Sequence, residues 1–189
     1  MKTLLLMRHA KSSWRNDDLP DQERPINKRG RHDAPRMGRL LIERELTPQR
    51  ILSSSALRAK QTAEAVIENC ECKGEVEYLE KLYMAEADDY LAVLRQQPDE
   101  LERIMIIGHN PGLETLLQIL SGRIESLPTA VIAHLALPVQ RWSDISDDTT
   151  GEMVEIWRPK EILEVEEESD KKKRKDKPKE KDKKKKKDK

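Results

Sequence analysis

No stretch of the 189-residue chain approaches the roughly 20 consecutive apolar residues that a membrane-spanning helix requires. The apolar run nearest the start, Leu4–Met7, is short and reads straight into Arg8-His9, so no signal peptide is visible. Cysteine is scarce. Only Cys70 and Cys72 occur, as Cys-Glu-Cys, a spacing that suits a disulfide poorly, and no second pair completes a metal site. These absences lead us to expect a soluble cytoplasmic protein. The Gly-x-x-x-x-Gly-Lys phosphate loop is missing too, and no carboxylate cluster suggests a metal–nucleotide enzyme.

Charge is absent only in the sum. Residues 171–189 hold fourteen Lys/Arg and four Asp/Glu, a net of +10, while residues 1–170 hold 22 basic and 32 acidic residues, a net of −10. From Glu161 the chain turns Glu-rich and then Lys-rich without aromatics, a composition that cannot bury enough apolar surface to order itself. We therefore expect one domain over residues 1–160 and a charged tail over 161–189, disordered from about Glu166. Such a tail can contact nucleic acid or another anionic surface. Lacking interleaved aromatics, it reads better as a solvating segment, or as one that folds back on the acidic body.

What is present is a repeated pattern of apolar strand, polar strand end and helix. Leu4–Met7 reads as a buried parallel strand that ends in Arg8-His9. A polar loop with Arg24-Pro25 follows, and the proline holds Arg24 extended. A helix is expected over about Lys28–Glu45, a strand over Arg50–Ser54, and a serine-capped helix from Ser55 to about Asn69 with Arg58 in its first turn. Glu75–Leu79 reads as a strand, Glu80–Tyr83 as a loop and Ala85–Gln97 as a helix. Arg103–Ile107 then repeats the opening: an apolar strand runs into Gly108-His109, with a helix from Pro111. Ala130–Leu137 and Gly151–Arg158 read as two further strands. This order implies a three-layer α/β/α sandwich, its sheet mostly parallel with an antiparallel strand.

Open α/β sheets bind ligands at the carboxyl ends of their strands. Arg8, His9, Arg58, His109 and loop-borne Arg24 are thus placed to share one rim. Arginines and helix N-termini suit a phosphoryl group, whose oxygens match guanidinium forks. One histidine can attack phosphorus, and the other can hydrogen-bond the oxygens as charge moves. No Asp/Glu pair completes a metal ligand set beside them. His32, at the start of a polar helix, reads as surface, and His134, flanked by Ala133 and Leu135, as a packed strand residue.

Leu6-Met7-Arg8-His9-Ala10 resembles the Arg-His-Gly signature of the histidine phosphatase, or phosphoglycerate mutase-like, superfamily. Leu52–Ala63 resembles its second motif and Gly108-His109-Asn110-Pro111-Gly112 its second-histidine motif. Arg8–Ser12 together with Glu23–Gly30 resembles the SixA branch of phosphohistidine phosphatases. The resemblance covers about residues 1–160. It implies a phosphoglycerate mutase-like fold and a metal- and cofactor-free enzyme of bacterial-type signalling, here expected as a monomer. By the same resemblance His9 is the nucleophile, Arg8, Arg58 and His109 complete the phosphate pocket, and Arg24 adds to it. Ala10 stands where the superfamily usually has glycine. Glu80 is the nearest match to the glutamate that serves larger relatives as general acid, without the rest of that motif. The substrate implied is phosphohistidine on a protein. A small sugar or nucleoside phosphate on the same site, or a non-catalytic phosphate-binding module, are the alternatives.

Overall fold

The computed structural model describes residues 1–14 and 18–162. Residues Met1–Pro159 form one compact unit. The tail lies outside the described residues from 163 onward, and so does any reading of its order.

Six strands, β1 (Lys2–Arg8), β2 (Arg50–Ser54), β3 (Glu75–Leu79), β4 (Arg103–Gly108), β5 (Ile132–Leu137) and β6 (Glu152–Trp157), form one sheet in the order β3-β2-β4-β1-β5-β6. All pairings from β3 to β1 are parallel, while β5 runs antiparallel to both β1 and β6. One strand, β5, is therefore reversed against the other five.

Successive side chains of a strand face opposite sides of a sheet. Leu4 and Leu6 of β1 join Ile104 and Ile106 of β4 in one core with helices α3 (Ala87–Leu94) and α4 (Gly112–Ser121). The opposite-facing Leu5, Met7, Met105 and Ile107 are equally buried. On their side, α1 (Lys28–Glu43) and α2 (Leu57–Asn69) pack on each other with Met37, Leu41, Ala59 and Ala63 buried. Both faces are covered, and this explains why β1 and β4 are continuously apolar rather than alternating.

Three local expectations are corrected. The N-cap of α2 is Ala56, with no side-chain cap, and the Ser54 hydroxyl instead accepts from the Ala56 N–H (3.2 Å). Glu80–Leu82 is a 3-10 turn rather than an irregular loop. Cys70 and Cys72 are joined as a disulfide with their Cα atoms 5.1 Å apart. Glu71 between them takes the left-handed conformation (φ 53°) just after the Cys70 C-cap of α2.

Candidate active site

Two strand ends meet at the carboxyl edge of the sheet. Arg8 of β1 pairs with Gly108 of β4, and the His9 N–H donates to the Gly108 carbonyl (3.1 Å). His9 and His109 therefore leave adjacent strands side by side, with ring centroids 5.0 Å apart and planes tilted by 54°.

His9 is 7% exposed. Its Nδ1 lies 2.8 Å from the Ala10 carbonyl oxygen. A carbonyl can only accept, so Nδ1 carries the proton and Nε2 carries the lone pair. Nε2 in turn accepts from Arg58 Nε (3.3 Å). Burial first, and then the charges of Arg58, Arg8 and Arg24, push the His9 pKa from 6.5 down to about 4. The same logic fixes His109. Its Nδ1 faces Arg58 Nη2 (3.4 Å), which can only donate, so its Nε2–H donates to Ser54 Oγ (2.8 Å). Burial, helped by His9 and Arg58, pushes its pKa to about 3. Both imidazoles are neutral at neutral pH.

The His109 backbone N–H donates to the Tyr90 hydroxyl (3.1 Å). Tyr90 is fully buried, and burial raises its phenol to about 12. A Cβ on Gly108 would run into that hydroxyl and ring, so the glycine lets Tyr90 press against the strand end.

Arg58 is buried in the first turn of α2. Thr62, one turn on, donates its hydroxyl to the Arg58 carbonyl (2.6 Å) and accepts from the Ala10 N–H (2.9 Å), which ties the helix to the His9 loop. Arg8 donates through Nη1 to the Leu127 carbonyl (3.0 Å), while its buried Nε has no partner among the described residues. Arg24, whose residue type alone favours solvent, is 7% exposed. Its Nη1 reaches Ser12 Oγ (3.0 Å), and the Trp14 ring covers its guanidinium with 3.5 Å between Cζ and ring centroid.

The residue that draws these cations together is Asp21, which sequence reasoning left inside a polar loop. Its Oδ1 accepts from Arg24 Nε (2.9 Å) and Nη2 (2.7 Å), and its Oδ2 from Arg58 Nη2 (2.9 Å) and the Tyr83 hydroxyl (3.0 Å). Burial pushes the Asp21 carboxyl up, but these hydrogen bonds and the Arg58 charge outweigh it and bring the pKa to about 2. The available signal was the three-residue spacing to Arg24 across a short turn.

Glu80 opens the 3-10 turn that follows β3. Its exposed carboxylate accepts from Ser55 Oγ (2.5 Å) and Gln22 Nε2 (3.0 Å), and these bonds lower its pKa. His32 is exposed beside Asp33, and His134 stacks on Trp157 (6.1 Å), both as expected. Among the described residues no three His, Cys, Asp or Glu side chains are grouped to hold a metal.

Buried arginines, a neutral histidine with its lone pair facing them and a second histidine beside it are suited to accept a tetrahedral oxyanion and attack its centre. The family model of the histidine phosphatase superfamily (branch 1) matches residues 4–90. An uncharacterized chloroplastic protein of Arabidopsis thaliana is 30% identical over 152 residues, 76% of this chain and 70% of the relative. The crystal structure of the putative phosphohistidine phosphatase SixA from Agrobacterium tumefaciens superposes with a TM-score of 0.72 at 26% identity, over 84% of this chain and 98% of that one. The protein histidine phosphatase SixA complexed with tungstate superposes with a TM-score of 0.73 at 22% identity, over 85% and 99%.

Proposed function

This chain belongs to the histidine phosphatase superfamily and is a phosphatase of phosphoglycerate mutase-like fold, and we propose that it removes the phosphoryl group from phosphohistidine on a protein. In this reading the His9 Nε2 lone pair attacks phosphorus. The P–N bond to the substrate imidazole breaks, and its electron pair leaves with that imidazole, which carries a proton. Water then attacks the phosphoryl group on His9, releasing inorganic phosphate and restoring the Nε2 lone pair. The Nδ1–H bond to the Ala10 carbonyl holds the reactive tautomer throughout. Arg8, Arg24 and Arg58 bind the phosphoryl oxygens, the free Nε of Arg8 among the donors. As the dianion arrives, His109 takes a proton from solvent water on Nδ1, and that N–H donates a hydrogen bond to a phosphoryl oxygen.

The observation that carries the choice of substrate is that, among the described residues, neither Asp21 nor Glu80 is held protonated. Asp21 is held at about 2, and Glu80 is lowered and tied to Ser55 and Gln22. An alcohol leaving group needs an acid, whereas an imidazole can depart already protonated near neutral pH. The Agrobacterium tumefaciens structure, at 26% identity, is named a putative phosphohistidine phosphatase, which adds support. The test is an assay in chelator against a phosphohistidine peptide, p-nitrophenyl phosphate and a panel of sugar phosphates, with His9→Ala in parallel. Chelator-resistant turnover that favours the peptide and vanishes in His9→Ala is expected. Activity that survives His9→Ala refutes the mechanism. Sugar phosphates preferred by orders of magnitude in kcat/KM refute the substrate and make the enzyme a small-molecule phosphomonoesterase.

A further inference from the structure

The Asp21 carboxylate occupies N–H groups of two pocket arginines. Its two oxygens take four hydrogen bonds, from Arg24, Arg58 and Tyr83. Two of the donors are pocket arginines, and a forked carboxylate satisfies guanidinium groups much as a phosphoryl group does. Arg58 has few N–H groups to spare. Nε faces His9, Nη1 donates to the Asp21 carbonyl (2.6 Å), and Nη2 serves Asp21 Oδ2 and faces His109 Nδ1. Tyr83, which anchors Asp21, also packs edge-on against His109 at 5.9 Å. The carboxylate thus competes for the same donors, beside the same imidazoles, as a phosphoryl group bound for His9.

The segment that carries Asp21 lies at the surface. It is the single 3-10 turn Asp21–Glu23, which buries none of its residues, and the Asp21 side chain is 41% exposed. Withdrawing it uncovers no apolar core.

We propose that Asp21 is an internal surrogate for the phosphoryl group: it holds the anion position in the resting enzyme, and substrate binds by exchange, a carboxylate leaving as a phosphoryl dianion enters. This rests on the pocket being a phosphoryl site, as proposed above. Exchange keeps Arg24 and Arg58 aligned between turnovers. It also weakens every phosphoryl ligand alike, so that the inorganic phosphate product is expelled by the returning carboxylate.

The test is Asp21→Asn in the full chain, which keeps the size of the side chain and removes its charge. Binding of inorganic phosphate and of tungstate is measured by calorimetry at fixed ionic strength, and thermal unfolding is followed with and without phosphate. The exchange predicts phosphate bound about tenfold more tightly by the variant. It also predicts a larger phosphate-induced rise in Tm than wild type shows. Tyr83→Phe, which loosens one anchor of the surrogate, shifts affinity in the same direction by less. Unchanged or weaker phosphate binding in Asp21→Asn overturns the proposal. Arg58→Ala separates the two levels: if it abolishes phosphate binding while Asp21→Asn leaves it unimproved, the phosphoryl pocket stands and the exchange falls. If Arg58→Ala binds phosphate as wild type does, the pocket reading itself falls.

Discussion

Lowering the pH should destabilise this protein through its two buried pocket histidines. His9 and His109 are held at about 4 and about 3 in the fold, against an ordinary 6.5. Between those values and 6.5 the unfolded chain binds protons that the folded chain refuses. Stability therefore rises with pH in that window and is lost as pH falls through it. From pH 8 to pH 5 the linkage relation gives about 2 kcal/mol of lost stability for each histidine. The pair together removes about 4 kcal/mol, a large share of the roughly 5–15 kcal/mol of a typical domain. Below about pH 4 the folded form begins to take protons as well, and the loss from His9 levels off. Urea unfolding at pH 8, 6.5 and 5 measures this, in phosphate-free buffer so that no oxyanion occupies the pocket. The informative quantity is the pH 8 to pH 5 difference, compared between wild type, His9→Asn, His109→Gln and the double variant. Carboxylates elsewhere contribute equally to all four and cancel. The expected order is wild type steepest and the double variant flattest. Equal slopes in wild type and double variant would refute the claim that both imidazoles are buried neutral.

Three other outcomes follow from the geometry. Glu80→Gln should leave phosphohistidine hydrolysis within about threefold of wild type, because the glutamate is already ionised and bound to Ser55 and Gln22; a hundredfold fall in kcat would restore it as the acid. Gly108→Ala forces its methyl against the Tyr90 hydroxyl and ring and should cost about 1–3 kcal/mol in urea unfolding, with a fall in kcat/KM as His109 is displaced; wild-type values for both would show that the strand end has room. Deleting residues 166–189 should leave turnover of p-nitrophenyl phosphate nearly unchanged in a steady-state assay, and a large loss would assign the tail a part in the fold.

The central strands were legible because burial on both faces makes β1 and β4 uniformly apolar, and the abrupt change at Arg8-His9 and Gly108-His109 marks where each leaves the sheet. Arg58 was legible because a cation in the first turn of a helix works against the dipole and so calls for an anion. Arg24 was half legible: Pro25 marked its backbone as fixed, but its burial depends on Trp14, Ser12 and Asp21, three contacts made across a loop. Tyr83 and Ser54 left no mark, since their roles come from partners far along the chain, and Asp21 left only its three-residue spacing to Arg24. Tyr90 looked like one more residue of an apolar helix face, and only its hydroxyl under the His109 amide gives it a second purpose. Periodicity reports which face a residue lies on; it carries no information about which polar atom waits on that face.

The in-register pairing of Arg8 with Gly108 has a consequence for how this chain can change. The 5.0 Å between the two imidazoles is close to the roughly 4.8 Å step from one strand to the next, so the distance is inherited from the backbone ladder. Side-chain substitutions around the pocket can retune its charge without moving that ruler. Gain or loss of a single residue within β1 or β4 cannot be absorbed in the same way. It would turn one histidine to the opposite face of the sheet and leave the other facing the pocket alone. Length variation should therefore be confined to the loops, while the two central strands keep a fixed count of residues up to their histidines.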